Sequence, residues 1–111
     1  MCGIASFSLS PNLTVHSRDL SRALLLAIEH RGKDSTGHAW TTEDDLFVKW
    51  HKAPVEASKF ELHSEMIAPT AAIFHTRMAT TGSPTNNNNN HPINTHHVIG
   101  VHNGMLWGET A

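Results

Sequence analysis

The 111-residue chain reads as an α+β layered domain. Three observations predict this class: a period-two alternation directly after the N-terminus, one stretch with apolar residues at helical spacing, and several short strand-like runs between turn residues. Gly3 to Leu9 alternates, with Ala5, Phe7 and Leu9 on one side and Ile4, Ser6 and Ser8 on the other, as a half-buried strand does. Pro11 and Asn12 break it. Ser17 is the predicted cap of a helix whose Leu20, Ala23, Leu24, Ala27 and Ile28 form one stripe. Gly32 stands where a helix C-terminus commonly takes a left-handed residue. His38–Trp40 and Leu46–Trp50 are predicted strands joined by the acidic turn Glu43-Asp44-Asp45. Residues 57–66 form a second predicted helix, stopped before Pro69. Thr70–Thr76 and His97–His102 are strand-like runs, and Asn86–Asn89 is read as a solvated loop. The run into Asn103-Gly104 ends without a closing element, so residues 1–111 are expected to be the N-terminal portion of one domain.

Composition narrows the classes. The hydrophobic share is 39% and the net charge is −2, so neither a bilayer span nor bulk attraction to nucleic acid is expected. The start lacks the layout of a signal peptide, and a single cysteine cannot form an internal disulfide. These features predict a cytoplasmic protein.

That cysteine is Cys2, directly behind Met1. Its small side chain makes removal of Met1 expected, which would leave a thiol nucleophile and a free α-amine on one residue. An α-amine has an unperturbed pKa of about 7.7–8.0 and can serve as the base. Three further segments are rich in polar residues and glycine. His30-Arg31-Gly32-Lys33-Asp34-Ser35-Thr36-Gly37 is, alone, accounted for by a helix end and a turn. His75-Thr76-Arg77-Met78-Ala79-Thr80-Thr81-Gly82 ends a strand with an arginine that either lies on the surface or grips a carboxylate through its two-pronged guanidinium. Val101-His102-Asn103-Gly104 is either a hairpin turn or an oxyanion hole built from the Asn103 amide and the Gly104 N–H.

Taken together, Cys2-Gly3-Ile4, His30–Gly37, His75–Gly82, Asn90-His91-Pro92 and His102-Asn103-Gly104 occur in an order that resembles the class II glutamine amidotransferase domain, a branch of the N-terminal nucleophile hydrolases. The resemblance implies a four-layered αββα sandwich, here incomplete, and a glutaminase that frees ammonia through a cysteine thioester. It implies Cys2 as nucleophile, Asn103 and Gly104 as the oxyanion hole, and Arg77, Thr80 and His91 in the glutamine pocket, with Arg77 on the α-carboxylate. Arg31, Gly32, Asp34 and Ser35 would brace the nucleophile's surroundings. No metal or other cofactor is implied. Glutamine is the implied substrate, and a synthase or acceptor domain outside this chain is the implied partner; no nucleic-acid or membrane partner is expected.

The sequence also departs from the pattern. Members that aminate sugar phosphates carry Trp and His where this chain has Met78 and Thr81, and the family's downstream aspartate has no counterpart up to Ala111. The wording around Arg77 and Asn103 leans toward the fructose-6-phosphate aminating type, while His30-Arg31-Gly32 suits the phosphoribosyl-amine-forming type equally. Three alternatives compete: a metal site using His91, His96, His97 and His102, an N-terminal cysteine hydrolase for another amide, and an inactive glutamine-binding or regulatory remnant of the same fold.

Overall fold

The computed structural model describes residues 2–45, 47–79, 82–95 and 98–102. Its elements are β1 (Gly3–Ser8), α1 (Ser17–Ile28), β2 (Ser35–Thr41), β3 (Lys49–Ala53), β4 (Ala71–Arg77), β5 (Ile93–Asn94) and β6 (Ile99–Gly100), with short 3-10 turns between them. The first four strands form one antiparallel sheet in the order β1-β4-β2-β3, and β5 and β6 pair separately. The arrangement is α+β, as predicted.

Strand alternation divides the sheet into two faces with different tasks. Gly3, Thr76 and Thr36 are paired in register, and the Thr76 hydroxyl donates to the Ile28 carbonyl at 2.8 Å, so this parity faces α1. The core lies on that face: Leu25, Trp40, Ala57, Phe60, Met66, Ala72 and Phe74 are buried together. The opposite parity carries Ile4, Ser6, His75, Arg77, Ser35, Gly37 and Lys52. One end of this second face is covered by the loop before β5; the rest is open, with Ile4 and Trp50 exposed and a groove of about 590 Å³ over Ser6, Ala39 and Ile73.

Helix α1 lies where the periodicity predicts, but its buried stripe is rotated. Ser17, Ser21 and Leu25 are buried and Leu24 and Ile28 partly so, whereas Leu20, Ala23 and Ala27 are exposed. Small serines can take the inner positions because they satisfy themselves: Ser21 donates to the Ser17 carbonyl and Ser17 to the Thr14 carbonyl, both at 2.8 Å. Ser17 is therefore the first helical residue; the cap is His16, with no side-chain capping bond.

The second predicted helix is absent. Only Ala57–Lys59 makes a 3-10 turn, and the following segment runs irregularly across the sheet. Its carbonyls go to two arginines of α1 instead of to a helical ladder. Arg18 donates to Leu62, His63 and Met66, and Arg22 to Ala57 and Phe60. Guanidinium donors are charged and geometrically matched to several carbonyls at once, so this clamp competes with local helix formation. Arg18→Met is expected to lower the unfolding free energy by about 2–3 kcal/mol, read as a shifted urea midpoint.

Several strand boundaries move: β2 begins at Ser35 and not at His38, and β4 runs on to Arg77 and not only to Thr76. β3 begins at Lys49, not at Leu46, because the turn closes later: the Thr42 N–H donates to Asp45 Oδ2 at 2.9 Å and the Asp45 N–H to the Thr42 carbonyl at 3.2 Å. The predicted strand His97–His102 reduces to Ile99–Gly100 among the described residues. The asparagine tract forms a 3-10 turn at Asn87–Asn89, capped by Asn86. Among the described residues, no helix is long and apolar enough to cross a membrane.

Candidate active site

The antiparallel register places Cys2 one residue before Gly3, which pairs with Thr76, so Cys2 comes beside the end of β4 where Arg77 sits. The Cys2 thiol contacts the Met78 carbonyl at 3.7 Å and is partly exposed. Arg31 Nε donates to the Cys2 carbonyl at 3.2 Å, which ties the first residues to the end of the 3-10 turn after α1. On the neighbouring strand Ser35 pairs in register with Arg77 and is buried.

Gly32 is required for a reason other than the one predicted. Its φ is −171°, an extended backbone that any residue adopts. What excludes a side chain is contact: a Cβ would lie 2.4 Å from the Arg77 carbonyl carbon and 2.7 Å from the Met78 nitrogen. This close approach lets Asp34 span the chain segment after β4. Its N–H donates to the Arg77 carbonyl at 2.9 Å, and its Oδ2 accepts from the Ala79 N–H at 2.7 Å. Arg31, Gly32 and Asp34 therefore hold both the Cys2 backbone and the residues that follow Arg77.

Arg77 is 5% exposed. Its Nη1 donates to Asn90 Oδ1 at 2.9 Å and its Nη2 to the Gly82 carbonyl at 2.8 Å, which together set the plane of the guanidinium. Asn90 is fully buried and in turn donates to the Pro84 carbonyl and Asn87 Oδ1. Next to it, His91 stacks on His75 at 4.2 Å between centroids and meets His102 edge-on at 4.8 Å; the His91–Pro92 peptide is cis. Burial, followed by the neighbouring positive and titratable groups, pushes His91 down to about 3. Burial likewise holds His75 at about 4, although its Nε2 lies 3.0 Å from the His102 carbonyl. Both rings are thus neutral at ordinary pH and form a flat apolar-sided wall beside Arg77.

The loop reaches the sheet because Gly37 has no side chain. A Cβ there would stand 1.9 Å from the His91 carbonyl oxygen and 2.8 Å from Pro92 Cδ. Gly37→Ala is expected to lift the 90–92 backbone off the sheet and destabilise the fold by about 1–3 kcal/mol, measured by chemical denaturation.

Of the residues the sequence singles out, Cys2, Arg77, His91, Arg31, Gly32, Asp34 and Ser35 come together at this end of the sheet. Thr80, Asn103 and Gly104 lie outside the described residues, as do His96 and His97. Among the described residues no group of three or more His, Cys, Asp or Glu side chains is arranged to hold a metal ion. The sequence places Asn90 and His75 in the family-like segments without a role, and does not single out Lys52: Asn90 is the partner of Arg77, His75 the platform under His91, and Lys52 donates to the Asn90 and Pro92 carbonyls. The parity of β3 carries the signal for Lys52, since it shares the face of Arg77.

Three curated relatives of the chain share one name. It is 35% identical over 109 residues to a glutamine–fructose-6-phosphate aminotransferase (isomerizing) of Rhizobium leguminosarum bv. viciae, covering 96% of this chain and 17% of the relative. The protein of the same name in Fusobacterium nucleatum subsp. nucleatum is 31% identical over 107 residues, and that of Bradyrhizobium diazoefficiens 38% over 82 residues, which is 74% of this chain. No family model matches the chain, and no solved structure matches it. The chain belongs to the class II glutamine amidotransferases, as an N-terminal portion. It spans about 17% of the length of the curated relatives it matches over nearly its whole extent.

Proposed function

We propose that this chain is the glutaminase part of an amidotransferase, in which Cys2, after removal of Met1, hydrolyses the side-chain amide of glutamine and supplies ammonia to an acceptor. The observation that carries this reading is that Cys2 and the buried Arg77 guanidinium come to the same end of the sheet, which supports a nucleophile there with a carboxylate receptor near it. The α-amine takes the thiol proton as sulfur attacks the amide carbon, giving a tetrahedral oxyanion. The Asn103 amide and Gly104 N–H stabilise that oxygen. The intermediate collapses with return of the proton to the leaving nitrogen, ammonia departs, and water hydrolyses the γ-glutamyl thioester to glutamate and free thiol. Arg77 fixes the α-carboxylate, with Thr80 and His91 lining the pocket.

Residues 1–111 are read as the N-terminal portion of a glutaminase domain with the four-layered sandwich. The open second face supports that fold, because a second sheet stacked on Ile4, Ile73 and Trp50 would bury apolar surface that is otherwise wet. The relatives' shared name makes fructose 6-phosphate the favoured acceptor, handled by a synthase domain outside this chain in the cytoplasm. The test is release of ammonia and glutamate from glutamine by protein with Met1 removed. Arg77→Lys is expected to raise the glutamine KM at least tenfold with a smaller change in kcat, because an ammonium lacks the two-pronged geometry. An unchanged KM takes Arg77 out of the pocket.

A further inference from the structure

Lys52 lies on β3, two strands away from Arg77, yet the structure links them through one loop. The residue is 8% exposed, and its ammonium donates to two backbone carbonyls, Asn90 at 2.7 Å and Pro92 at 2.9 Å. The loop returns the contact, since Asn87 Nδ2 donates to the Lys52 carbonyl at 2.9 Å. Among the described residues Lys52 makes no ion pair; besides the two carbonyls its ammonium lies 5.4 Å from the centroid of the Trp50 ring, a weaker cation–π contact. Both carbonyls flank His91, whose backbone is pressed onto Gly37, the residue paired in register with Lys52 on one side and His75 on the other. The side chain of Asn90, the residue that Lys52 holds by its backbone, accepts the hydrogen bond of Arg77 Nη1.

We propose that Lys52 is a positioning residue for glutamine binding, which sets the Arg77 guanidinium by clamping the 90–92 backbone to the sheet. The inference rests on the substrate reading above. Burying an ammonium is costly unless it is hydrogen-bonded, and desolvation already lowers the Lys52 pKa from its ordinary value. A purely apolar side chain would fill the same volume without that cost. What only the ammonium supplies is a pair of strong donors for the two carbonyls either side of His91. Without them the loop loses its hold on β3, Asn90 is no longer fixed relative to β4, and the fork of Arg77 loses the acceptor that orients its Nη1.

The experiment compares Lys52→Met, Lys52→Gln and Lys52→Arg with the parent protein, using L-glutamate as the binding probe in an NMR titration because it carries the same α-carboxylate and is not consumed. Lys52→Met is expected to raise the L-glutamate Kd about tenfold, Lys52→Gln less, and Lys52→Arg to restore it to within about threefold, since a guanidinium can again donate to both carbonyls. In turnover the same loss is expected in the glutamine KM, with kcat within about twofold, a split that a general loss of folded protein does not produce. Should Lys52→Met fail to fold by circular dichroism, Lys52→Gln decides. A parent protein that binds L-glutamate alongside a folded Lys52→Met or Lys52→Gln with unchanged Kd overturns the role of Lys52 alone. A parent protein that binds neither L-glutamate nor glutamine overturns the substrate reading and this inference with it.

Discussion

Cys2→Ala is expected to abolish glutamine hydrolysis while leaving the fold intact. The side chain is partly exposed, and its contact with the Met78 carbonyl is a weak 3.7 Å sulfur interaction. Little packing is lost on truncation, so the thermal midpoint should stay within a few degrees. The chemical consequence is of another order. No neighbouring side chain replaces a nucleophile that also carries its own base, and removing the nucleophile of a covalent hydrolase costs up to about 10⁶-fold in kcat. Cys2→Ser is the sharper variant, because it keeps the shape and the α-amine while exchanging sulfur for a poorer nucleophile. Turnover is expected to fall by several orders of magnitude in both, with L-glutamate binding retained. Residual turnover near the parent level in either variant means the amide is attacked by something other than residue 2.

The second large effect concerns pH. His38 and His75 are fully buried, and burial, the first cause in both, drives their pKa down from 6.5 to about 3 and about 4. For His38 the nearby His51, His63, Arg18 and Arg22 add to it, and neither ring nitrogen has a hydrogen-bond partner among the described residues. The folded state therefore keeps both rings neutral over a range where the unfolded chain protonates them. Because the unfolded chain binds more protons there, stability rises with pH: it is fully present above about pH 6.5 and is lost as pH falls toward 4. His91, which burial also holds at about 3, adds a third ring; each contributes a slope approaching 1.4 kcal/mol per pH unit, so about 3–4 kcal/mol should disappear between pH 6 and pH 5. His38→Phe suits the aromatic surroundings of Trp40, Phe60 and Phe74 and is expected to cut that slope by roughly a third. Urea midpoints at pH 7, 6 and 5 measure it. A stability that is flat over this range in the parent protein contradicts the burial of these rings.

The same two faces explain how much could be read from the sequence. β1 is legible because its alternation sets Ala5, Phe7 and Leu9 against Ile4, Ser6 and Ser8. β2 and β4 are legible only as the short runs His38–Trp40 and Thr70–Thr76; that Cys2, Ser35 and Arg77 fall on one parity follows from the register of the folded sheet. The helix over Ser17–Ile28 is legible from its period, but its inward stripe is not: burying Ser21 and exposing Leu20 depends on what packs against the helix, here the sheet and the segment clamped by Arg18 and Arg22. That clamp also explains why residues 57–66 look helical and are not, since the competing acceptors for two distant guanidiniums are invisible to local propensity. Gly32 and Gly37 show the same limit. Both are needed for close approach of backbone from elsewhere in the chain, and neither contact is encoded by its neighbours in sequence.

At the site, residue types with strong intrinsic chemistry were recognisable: a cysteine behind the initiator, an arginine closing an apolar strand, an Asn-Gly pair. Their supports were not. Asn90 sits at the end of a homopolymeric tract and differs from its four predecessors by being buried under Arg77, a distinction made by the tertiary fold and not by composition. Lys52 is an ordinary strand lysine until the loop folds over it.

The central claim, that Cys2 is the nucleophile toward glutamine, is tested most directly by covalent labelling. An analogue of glutamine with an electrophilic ketone in place of the carboxamide, incubated with protein whose Met1 has been removed, should add one equivalent to the N-terminal peptide. Tandem mass spectrometry should place the added mass on the Cys2 sulfur, and excess L-glutamine should slow its appearance. No adduct on fully processed protein, or an adduct that persists in Cys2→Ala, contradicts the account.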